Sequence, residues 1–69
     1  MHEQLHNRLR EARLHRNLTQ AELATLAHVS RKTINTVENG VFIPSTVLAL
    51  RLARALGASV EELFQLPTD

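Results

Sequence analysis

The sequence predicts an all-α domain of five short helices, with a helix-turn-helix formed by the second and third. Apolar residues recur at the 3.6-residue spacing of amphipathic helices, and no segment shows the alternation of a strand. Ser or Thr precedes most periodic segments, and Asn or Gly follows them, as at helix starts and stops. Within residues 20–39 the small Ala24 lies on one helix, and Ile34 and Val37 form the apolar side of the next. Two helices that cross steeply need this distribution of side-chain sizes.

The chain has 69 residues and no cysteine. That length predicts one domain, residues 1–69, without room for a second site-bearing domain. Because cysteine is absent, neither a disulfide framework nor a zinc ribbon is expected, and we predict a cytoplasmic location. The longest uncharged run, residues 39–50, is shorter than the roughly 18 apolar residues of a membrane span. The polar residues at the start of the chain predict no signal peptide.

The first predicted helix spans residues 3–16. The residues that share its apolar face are Leu5, Leu9, Ala12 and the methylene groups of Arg16. Asn17 follows the last periodic residue, and Asn is the commonest substitute for Gly in a left-handed C-cap. Helix 1 is therefore expected to end at this residue.

The second predicted helix, residues 20–27, begins with a capping box. Thr19 and Glu22 have the S/T-x-x-E spacing in which each side chain accepts a hydrogen bond from the other residue's backbone. Leucines are expected to pack around this start, Leu18 and Leu23 as a hydrophobic staple and Leu26 as a further buried residue.

A turn at His28 is predicted to join helix 2 to helix 3. Gly is usual at such a corner, but His is among the residues enriched at positive φ. His28 is therefore interpreted as a turn residue with a solvated ring, rather than as a pH sensor. Ser30 is the predicted N-cap of helix 3. Asn39 and Gly40 end that helix, and Val41 is available for the apolar contact of its C-cap.

Helix 4 is predicted to begin after its N-cap Ser45, to extend to Leu56 and to be closed by Gly57. Its broad apolar face is predicted to comprise Thr46, Ala49, Leu50, Leu52, Ala53 and Leu56. Val47 and Leu48 occupy positions that this face does not require.

The last predicted helix begins at a second capping box, formed by Ser59 and Glu62. Its apolar residues are Val60, Leu63, Phe64 and Leu66. Pro67 is expected to end it, because proline lacks the N–H that a helix interior needs. With almost no aromatic residues in the chain, aliphatic side chains must build the whole core.

Charge is distributed unevenly along the chain. Residues 8–54 contain all eight basic residues but only three acidic ones, a difference of +5, whereas the other acidic residues lie near the ends. A basic middle is expected when one surface faces phosphate and another does not.

The outer edge of helix 3 is rich in hydrogen-bond donors. The residues on this edge are Arg31, Lys32, Asn35 and Thr36. Arg can present two donors to guanine O6 and N7, and Asn can pair its amide with adenine N6 and N7. Thr can contact a thymine methyl group or a phosphate. The edge therefore predicts a helix that enters the major groove of DNA, with a base contact favoured for Arg31 and either a base or a phosphate contact for Lys32.

The chain resembles the phage-repressor or Cro-like helix-turn-helix family, also called the xenobiotic-response-element family. The resemblance extends from about residue 5 to residue 66. The segments that carry it are Leu9-Arg10-Glu11-Ala12-Arg13, Leu18-Thr19-Gln20-Ala21-Glu22-Leu23-Ala24, Val29-Ser30-Arg31-Lys32-Thr33-Ile34, Val37-Glu38-Asn39-Gly40 and Leu56-Gly57-Ala58-Ser59-Val60-Glu61-Glu62-Leu63-Phe64.

This resemblance implies a compact, five-helix, lambda-repressor-like domain in which helix 3 reads base edges and helix 2 lies across the DNA backbone. It further implies that Gln20 bonds a phosphate, and that Arg13 and Glu38 form an ion pair between helix 1 and the end of helix 3. The sequence departs from the family at Asn17 and His28, where Gly is often found.

The amino-terminal amides of helices 2 and 4 are also expected to hold phosphates. The full set of residues predicted to contact DNA is Thr19, Gln20, Ser30, Arg31, Lys32, Thr33, Asn35, Thr36 and Ser45. One domain makes too small a contact for selectivity across a genome, so we expect a homodimer on an inverted repeat. Phe42 is expected to be buried within the domain. The other apolar residues that the core does not require are candidates for the dimer interface, and these are Val41, Ile43, Val47, Leu48 and Leu66.

Two alternatives remain open. The chain could be the DNA-binding part of an antitoxin or of a larger regulator with a ligand-sensing module, and Pro67-Thr68-Asp69 fits either a terminus or the start of a linker. Alternatively, the same fold could be a protein-interaction module without a DNA role, in which case the outer edge of helix 3 should be acidic or apolar.

An enzyme is not predicted, and no metal or other cofactor is expected. His2 and His6 have the i, i+4 spacing of a metal-binding pair, but no third ligand accompanies them. Glu61 and Glu62 are interpreted as a capped, solvated pair rather than as an acid and base couple.

Overall fold

The computed structural model describes residues 5–67, which form five helices and one pair of short strands. In chain order the elements are β1 (His6–Asn7), α1 (Leu9–His15), α2 (Gln20–Ala27), α3 (Arg31–Glu38), α4 (Thr46–Leu56), α5 (Val60–Leu63) and β2 (Phe64–Gln65). The predicted all-α class and the five helices are confirmed. The strand pair was not predicted.

The core is one cluster of apolar side chains to which every helix contributes, and it includes the ring of Phe64 as well as the predicted aliphatic residues. Its largest fully buried members are Leu9, Leu23, Ile34, Leu52, Leu63 and Val37. Helix α2 contacts both α3 and α4, and its buried Ala24 and Ala27 allow the neighbouring helices to approach closely. Helix α3 is therefore held with one side fixed against the core.

Helices α1 to α4 all end in the same local structure. A left-handed residue follows each helix, and these residues are Asn17, His28, Gly40 and Gly57. The next N–H in the chain then donates to the carbonyl five residues earlier, for example Leu18 to Arg13 and Val29 to Ala24. This is the Schellman motif, which satisfies carbonyls that a helix end leaves free. The predictions that Asn17 and His28 replace Gly at these corners are confirmed.

The predicted starts of helices α2 to α5 are also confirmed. Thr19 and Glu22 form a complete capping box at α2, and Ser59 and Glu62 form another at α5. The hydroxyls of Ser30 and Ser45 accept hydrogen bonds from backbone N–H groups in the first turns of α3 and α4. Side-chain capping thus fixes where four of the helices begin.

The two ends of the described chain differ from the prediction. Helix α1 begins at Leu9, because the side chain of Asn7 accepts a hydrogen bond from the Leu9 N–H at 2.8 Å. Helix α5 stops at Leu63, and Phe64 turns into an extended conformation that buries its ring. Strands β1 and β2 then pair antiparallel, with His6 opposite Gln65. Strands of two residues are too short to produce a period-2 pattern, so the sequence carried no sign of them.

Several burial predictions were wrong. On α2 the core face is formed by Leu23, Ala24 and Ala27, which leaves Leu26 52% exposed. On α4 the core face is shifted: Leu48 is buried, whereas Thr46 and Leu50 are exposed.

The Schellman turn after α3 directs Val41 and Phe42 outward, and they are 79% and 47% exposed. Arg16 is exposed as well, but its guanidinium donates to the Leu56 carbonyl at 2.8 Å.

Candidate DNA-binding surface

Helix α3 has one buried side and one exposed side. Ile34 and Val37 have no exposed surface, whereas Arg31, Lys32 and Asn35 are exposed. Thr33 and Thr36 lie between these sides and are half-buried. The structure therefore presents a row of polar side chains along a helix whose other side is fixed by the core.

Two cations occupy the first turn of α3, where the helix dipole is least favourable for them. Arg31 and Lys32 are its first two residues, and this turn contains no acidic residue. Positive side chains at the positive end of a helix dipole cost a few tenths of a kcal/mol each. Within residues 5–67 neither side chain has an ion-pair partner. Cations at this end of a helix oppose its stability, and such departures from local stability rules are typical of functional sites.

Shallow depressions lie on both sides of Lys32. One is lined by Gln20, Arg31, Lys32 and Asn35. The other is lined by Lys32, Thr33, Thr36, Val41 and Phe42. The loop after α3 thus borders the same surface as the start of α2, and the exposed ring of Phe42 lies at its edge.

The hydroxyl groups on this surface already have structural roles. Thr19 caps α2, and Ser30 caps α3 while bonding to the Thr33 hydroxyl at 2.9 Å. A capping hydroxyl accepts a hydrogen bond but keeps its own proton, which remains free to donate in Thr19 and Ser45. Thr36 instead donates to the Thr33 carbonyl. Its methyl group and oxygen lone pairs are what it can offer a ligand.

The side chain of Gln20 faces the protein as well as the surface. Its Nε2 lies 3.2 Å from Asn35 Oδ1 and 3.2 Å from Glu38 Oε1. Both amide donors therefore have acceptors within the domain. What Gln20 leaves for a phosphate is its backbone N–H in the first turn of α2.

A buried carboxylate lies behind this surface. Glu38 has no exposed side-chain surface and accepts two hydrogen bonds from Arg13, at 2.6 and 3.1 Å. Arg13 is 10% exposed and also donates to the Leu18 carbonyl at 2.8 Å. The ion pair implied by the family resemblance is thus present, and it joins α1 to the last residue of α3.

The pKa values of Arg13 and Glu38 are shifted in the directions that favour the ionised form of each group. Burial alone would raise the pKa of Glu38, but hydrogen bonds from Arg13, Gln20 and Arg10 outweigh it and lower that pKa below its ordinary value. The hydrogen bond to Glu38 raises the pKa of Arg13. The buried pair is therefore ionised at neutral pH.

The side-chain hydrogen bonds of three residues around the carboxyl end of α3 were missed by the sequence analysis. Arg10 donates to Glu38 at 3.3 Å and to Asn39 Oδ1 at 2.9 Å. Asn39 in turn donates to Asn35 at 3.2 Å, and Asn7 donates to the Val37 carbonyl at 2.6 Å. The i, i+3 spacing of Arg10 and Arg13 on one helix side was the available signal for the first of these. The partners of Asn7 and Asn39 follow only from the tertiary arrangement.

The helix starts differ in whether they contain an acidic residue. The first turns of α3 and α4 contain none, whereas the first turn of α2 contains Glu22 and that of α5 contains Glu61 and Glu62. The N-terminal amides of α3 and α4 are thus free of a competing carboxylate, which is favourable for an anionic ligand.

Of the two histidines weighed as a metal-binding pair, His2 lies outside the described residues and His6 lies in β1. No helix among residues 5–67 is long and apolar enough to cross a membrane.

The geometry defines a class of protein: a helix-turn-helix domain that presents the donor-rich side of its second motif helix at the surface. Residues 9–63 match the family model described as helix-turn-helix. The chain belongs to this family.

Similar proteins include an HTH-type transcriptional regulator, uncharacterized, of Methanothermobacter thermautotrophicus. It is 47% identical over 62 residues, which cover 88% of this chain and 90% of the relative. The restriction-modification controller protein C.AhdI of Aeromonas hydrophila has a crystal structure that matches with a TM-score of 0.79 and 42% identity, covering 83% of this chain and 86% of that one. The clp gene regulator ClgR of Corynebacterium glutamicum matches with a TM-score of 0.75 and 35% identity, covering 78% of this chain and 57% of its own.

Proposed function

We propose that this protein is a sequence-specific DNA-binding transcriptional regulator whose helix α3 enters the major groove. The observation that carries the proposal is the pair of exposed cations, Arg31 and Lys32, in the first turn of α3. In this docking mode the amino-terminal residues of the second motif helix contact base edges. The DNA phosphates then supply the negative charge that the first turn lacks.

The residues on the surface divide into two roles. Arg31 is assigned to a base, because its guanidinium is exposed and has the two donors that guanine accepts. Lys32 lies between the two depressions and can reach either a base or a phosphate. The capping hydroxyls of Thr19 and Ser45, and the first-turn amide of Gln20, are assigned to phosphates. Ser30, Thr33 and Thr36 support and border the base-reading residues.

The proposal includes a homodimer on an inverted repeat, which the small size of the domain supports. A single module of this kind buries about 600–1,000 Å² of protein surface on DNA, which is small for a specific complex. Exposed apolar side chains, which include Ile43, Val47, Leu50 and Leu66, are candidates for the contact between two copies. The start of α4 and the loop before it line a groove that contains Ile43 and Leu50.

A second candidate role is that of a DNA-binding module within a larger regulator. This chain spans 57% of the length of ClgR, so the fold also occurs with additional sequence attached. In that case a sensor or partner, rather than a second copy, would cover the exposed apolar residues. A pure protein-interaction module is disfavoured, because the outer edge of α3 is basic and polar.

Two further assignments follow from this function. A regulator of transcription acts where the chromosome lies, so we assign the protein to the cytoplasm of a prokaryotic cell. We also assign it no catalytic activity, because the family provides regulators and the polar groups described above serve as caps, ion pairs and groove contacts.

The test is selection of randomised duplexes by the purified 69-residue protein, repeated across salt concentrations. Enrichment of an inverted repeat is the expected outcome, with half-sites about one helical turn apart. Retention of duplexes without an enriched motif, lost steeply as salt rises, would reduce the function to phosphate binding. Sedimentation of the protein with and without the selected duplex separates the homodimer from the module of a larger assembly.

A further inference from the structure

We infer that the hydrogen-bond network behind α3 orients Asn35 so that it offers DNA only N–H donors, and that it therefore selects guanine rather than adenine. This inference rests on the proposed function and names the base class that one of its residues recognises. It differs from the adenine pairing expected from the residue type alone.

The orientation of Gln20 is determined by a charge. Glu38 is an ionised carboxylate and can only accept hydrogen bonds, so the Gln20 group 3.2 Å from Glu38 Oε1 is the amide nitrogen. The same nitrogen lies 3.2 Å from the Asn35 side chain. The Asn35 atom that it faces is therefore an oxygen.

The orientation of Asn39 is determined by the opposite charge. Arg10 can only donate, so the Asn39 atom 2.9 Å from Arg10 Nη2 is the amide oxygen. This leaves the Asn39 nitrogen facing Asn35 at 3.2 Å. The network thus reaches Asn35 from two sides, through Gln20 and through Asn39, and each side presents it with an N–H donor.

Asn35 has one arrangement that satisfies both neighbours. Its Oδ1 accepts from Gln20 and from Asn39, which uses the two lone pairs of a carbonyl oxygen. Rotating the amide by half a turn would place its own N–H groups against two donors and lose both bonds. The group that remains for DNA is therefore Nδ2, with two N–H donors and no acceptor.

The bases differ in what they present to such a group. Guanine offers adjacent acceptors at N7 and O6, and thymine offers O4, whereas adenine places its N6 donor beside N7 and cytosine offers the N4 donor. An amide free to rotate can pair with adenine through one donor and one acceptor. An Asn35 amide held by Gln20 and Asn39 has no free acceptor. Its N–H donor would therefore face the N6 donor of adenine.

The first experiment compares selected DNA sites. The base contacted by Asn35 is the position at which Asn35→Ala loses preference. At that position the wild-type protein should enrich guanine, or thymine, and should bind guanine over adenine by roughly fivefold to 150-fold, the range of one good base contact. Enrichment of adenine or cytosine there would overturn the inference, as would unchanged preference at every position in Asn35→Ala.

The second experiment releases the amide. The double variant Gln20→Met, Asn39→Ala removes both donors that face Asn35 Oδ1, so the guanine-to-adenine ratio should fall to within about threefold, well below the range of one base contact. The matched control is Gln65→Met, because Gln65 lies in β2 and donates only to carbonyls of α5. A double variant with the wild-type ratio would contradict the inference.

A third measurement needs no DNA and therefore separates this inference from the proposed function. In the free protein, the side-chain amide protons of Gln20 and Asn39 should exchange with solvent more slowly than those of Asn35. Replacing Asn35 by alanine should accelerate exchange at both neighbours. Equal exchange rates at the three amides would show that the network does not hold Asn35, whether or not the protein selects a DNA motif.

Discussion

Asn7 Nδ2 donates a hydrogen bond to the carbonyl oxygen of Val37 at 2.6 Å. The Oδ1 atom of the same side chain accepts from the Leu9 N–H at 2.8 Å. One amide thus begins α1 and attaches this part of the chain to the last turn of α3. It adds a second donor to a carbonyl that also accepts from the Gly40 N–H at 3.0 Å.

Asn7→Ala should destabilise the domain by about 1–3 kcal/mol, because it removes two hydrogen bonds and leaves the Leu9 N–H without its acceptor. Urea unfolding followed by circular dichroism measures the loss. His6→Ala is the matched control, since His6 is an exposed neighbour on the same strand. Equal stability of the two variants would mean that the Asn7 bonds contribute nothing net.

Glu38→Ala should lower the free energy of unfolding by about 3–5 kcal/mol, because it leaves the guanidinium of Arg13 buried without its charge partner. Arg10→Ala removes the exposed partner of the same carboxylate, at 49% exposure, and should cost at most about 1 kcal/mol. If Glu38→Ala leaves too little folded protein to measure, Arg13→Met combined with Glu38→Leu replaces the pair by apolar groups. That double variant should be more stable than Glu38→Ala, and the reverse order would refute the account.

Acid should destabilise the protein through Glu38. Its pKa is lower in the folded protein than in the unfolded chain, where a Glu titrates near 4.3. The stabilisation is therefore complete above about pH 5 and is lost as pH falls through the folded pKa. Glu38→Gln should show a smaller decrease in unfolding free energy between about pH 5 and pH 2 than the wild type. Parallel curves would show that other carboxylates account for the acid sensitivity.

Arg31→Ala should weaken binding to the best selected site by about 1–3 kcal/mol and relax preference at one base position. It should also stabilise the free domain slightly, because it removes a cation from the positive end of the α3 dipole. If Lys32 holds a phosphate, Lys32→Ala should weaken all sequences alike and reduce the salt slope by about one. A uniform loss for Arg31→Ala, measured by titration of matched duplexes, would make that residue a phosphate contact too.

His28→Gly should stabilise the protein by roughly 0.5–1 kcal/mol. A left-handed non-Gly residue costs roughly 1–2 kcal/mol, and the entropy of Gly offsets about half of this. His28 has φ of 60°. The matched control is Thr25→Gly within α2, which should lose up to about 1 kcal/mol. Thermal melts at equal concentration compare the two variants, and a destabilised His28→Gly would indicate that the His28 ring contributes contacts.

Local signals explain why so much of this fold could be predicted. Thr19 with Glu22 and Ser59 with Glu62 act within one helical turn, and so do the left-handed residues Asn17 and His28. These rules are local in sequence, and they place the helix ends without knowledge of the tertiary structure. The outer edge of α3 was predictable for the same reason, since helical spacing alone separates it from the apolar side.

Predictions failed where burial depends on how helices are rotated against one another. Leu26 and Leu50 fit an apolar helix side as well as their buried neighbours do, and the packing of α2 on α4 decides which leucines are enclosed. The strand pair and the bonds of Asn7 have the same origin, since their partners lie at the far end of the chain or on another helix. The roles of Gln20 and Asn35 could not be predicted either, because residue type does not show which end of an amide faces the protein.

The antiparallel pairing of β1 with β2 has a mechanical consequence. Because His6 lies opposite Gln65, both ends of the described chain leave the domain on the same side. A pull on the two ends would separate the strands one hydrogen bond at a time, and the force on β1 would then act on the hydrogen bond between Asn7 and Val37. Force applied at the amino-terminal side is therefore transmitted to α3 two residues from Asn35, in the part of the surface proposed to distinguish one base from another.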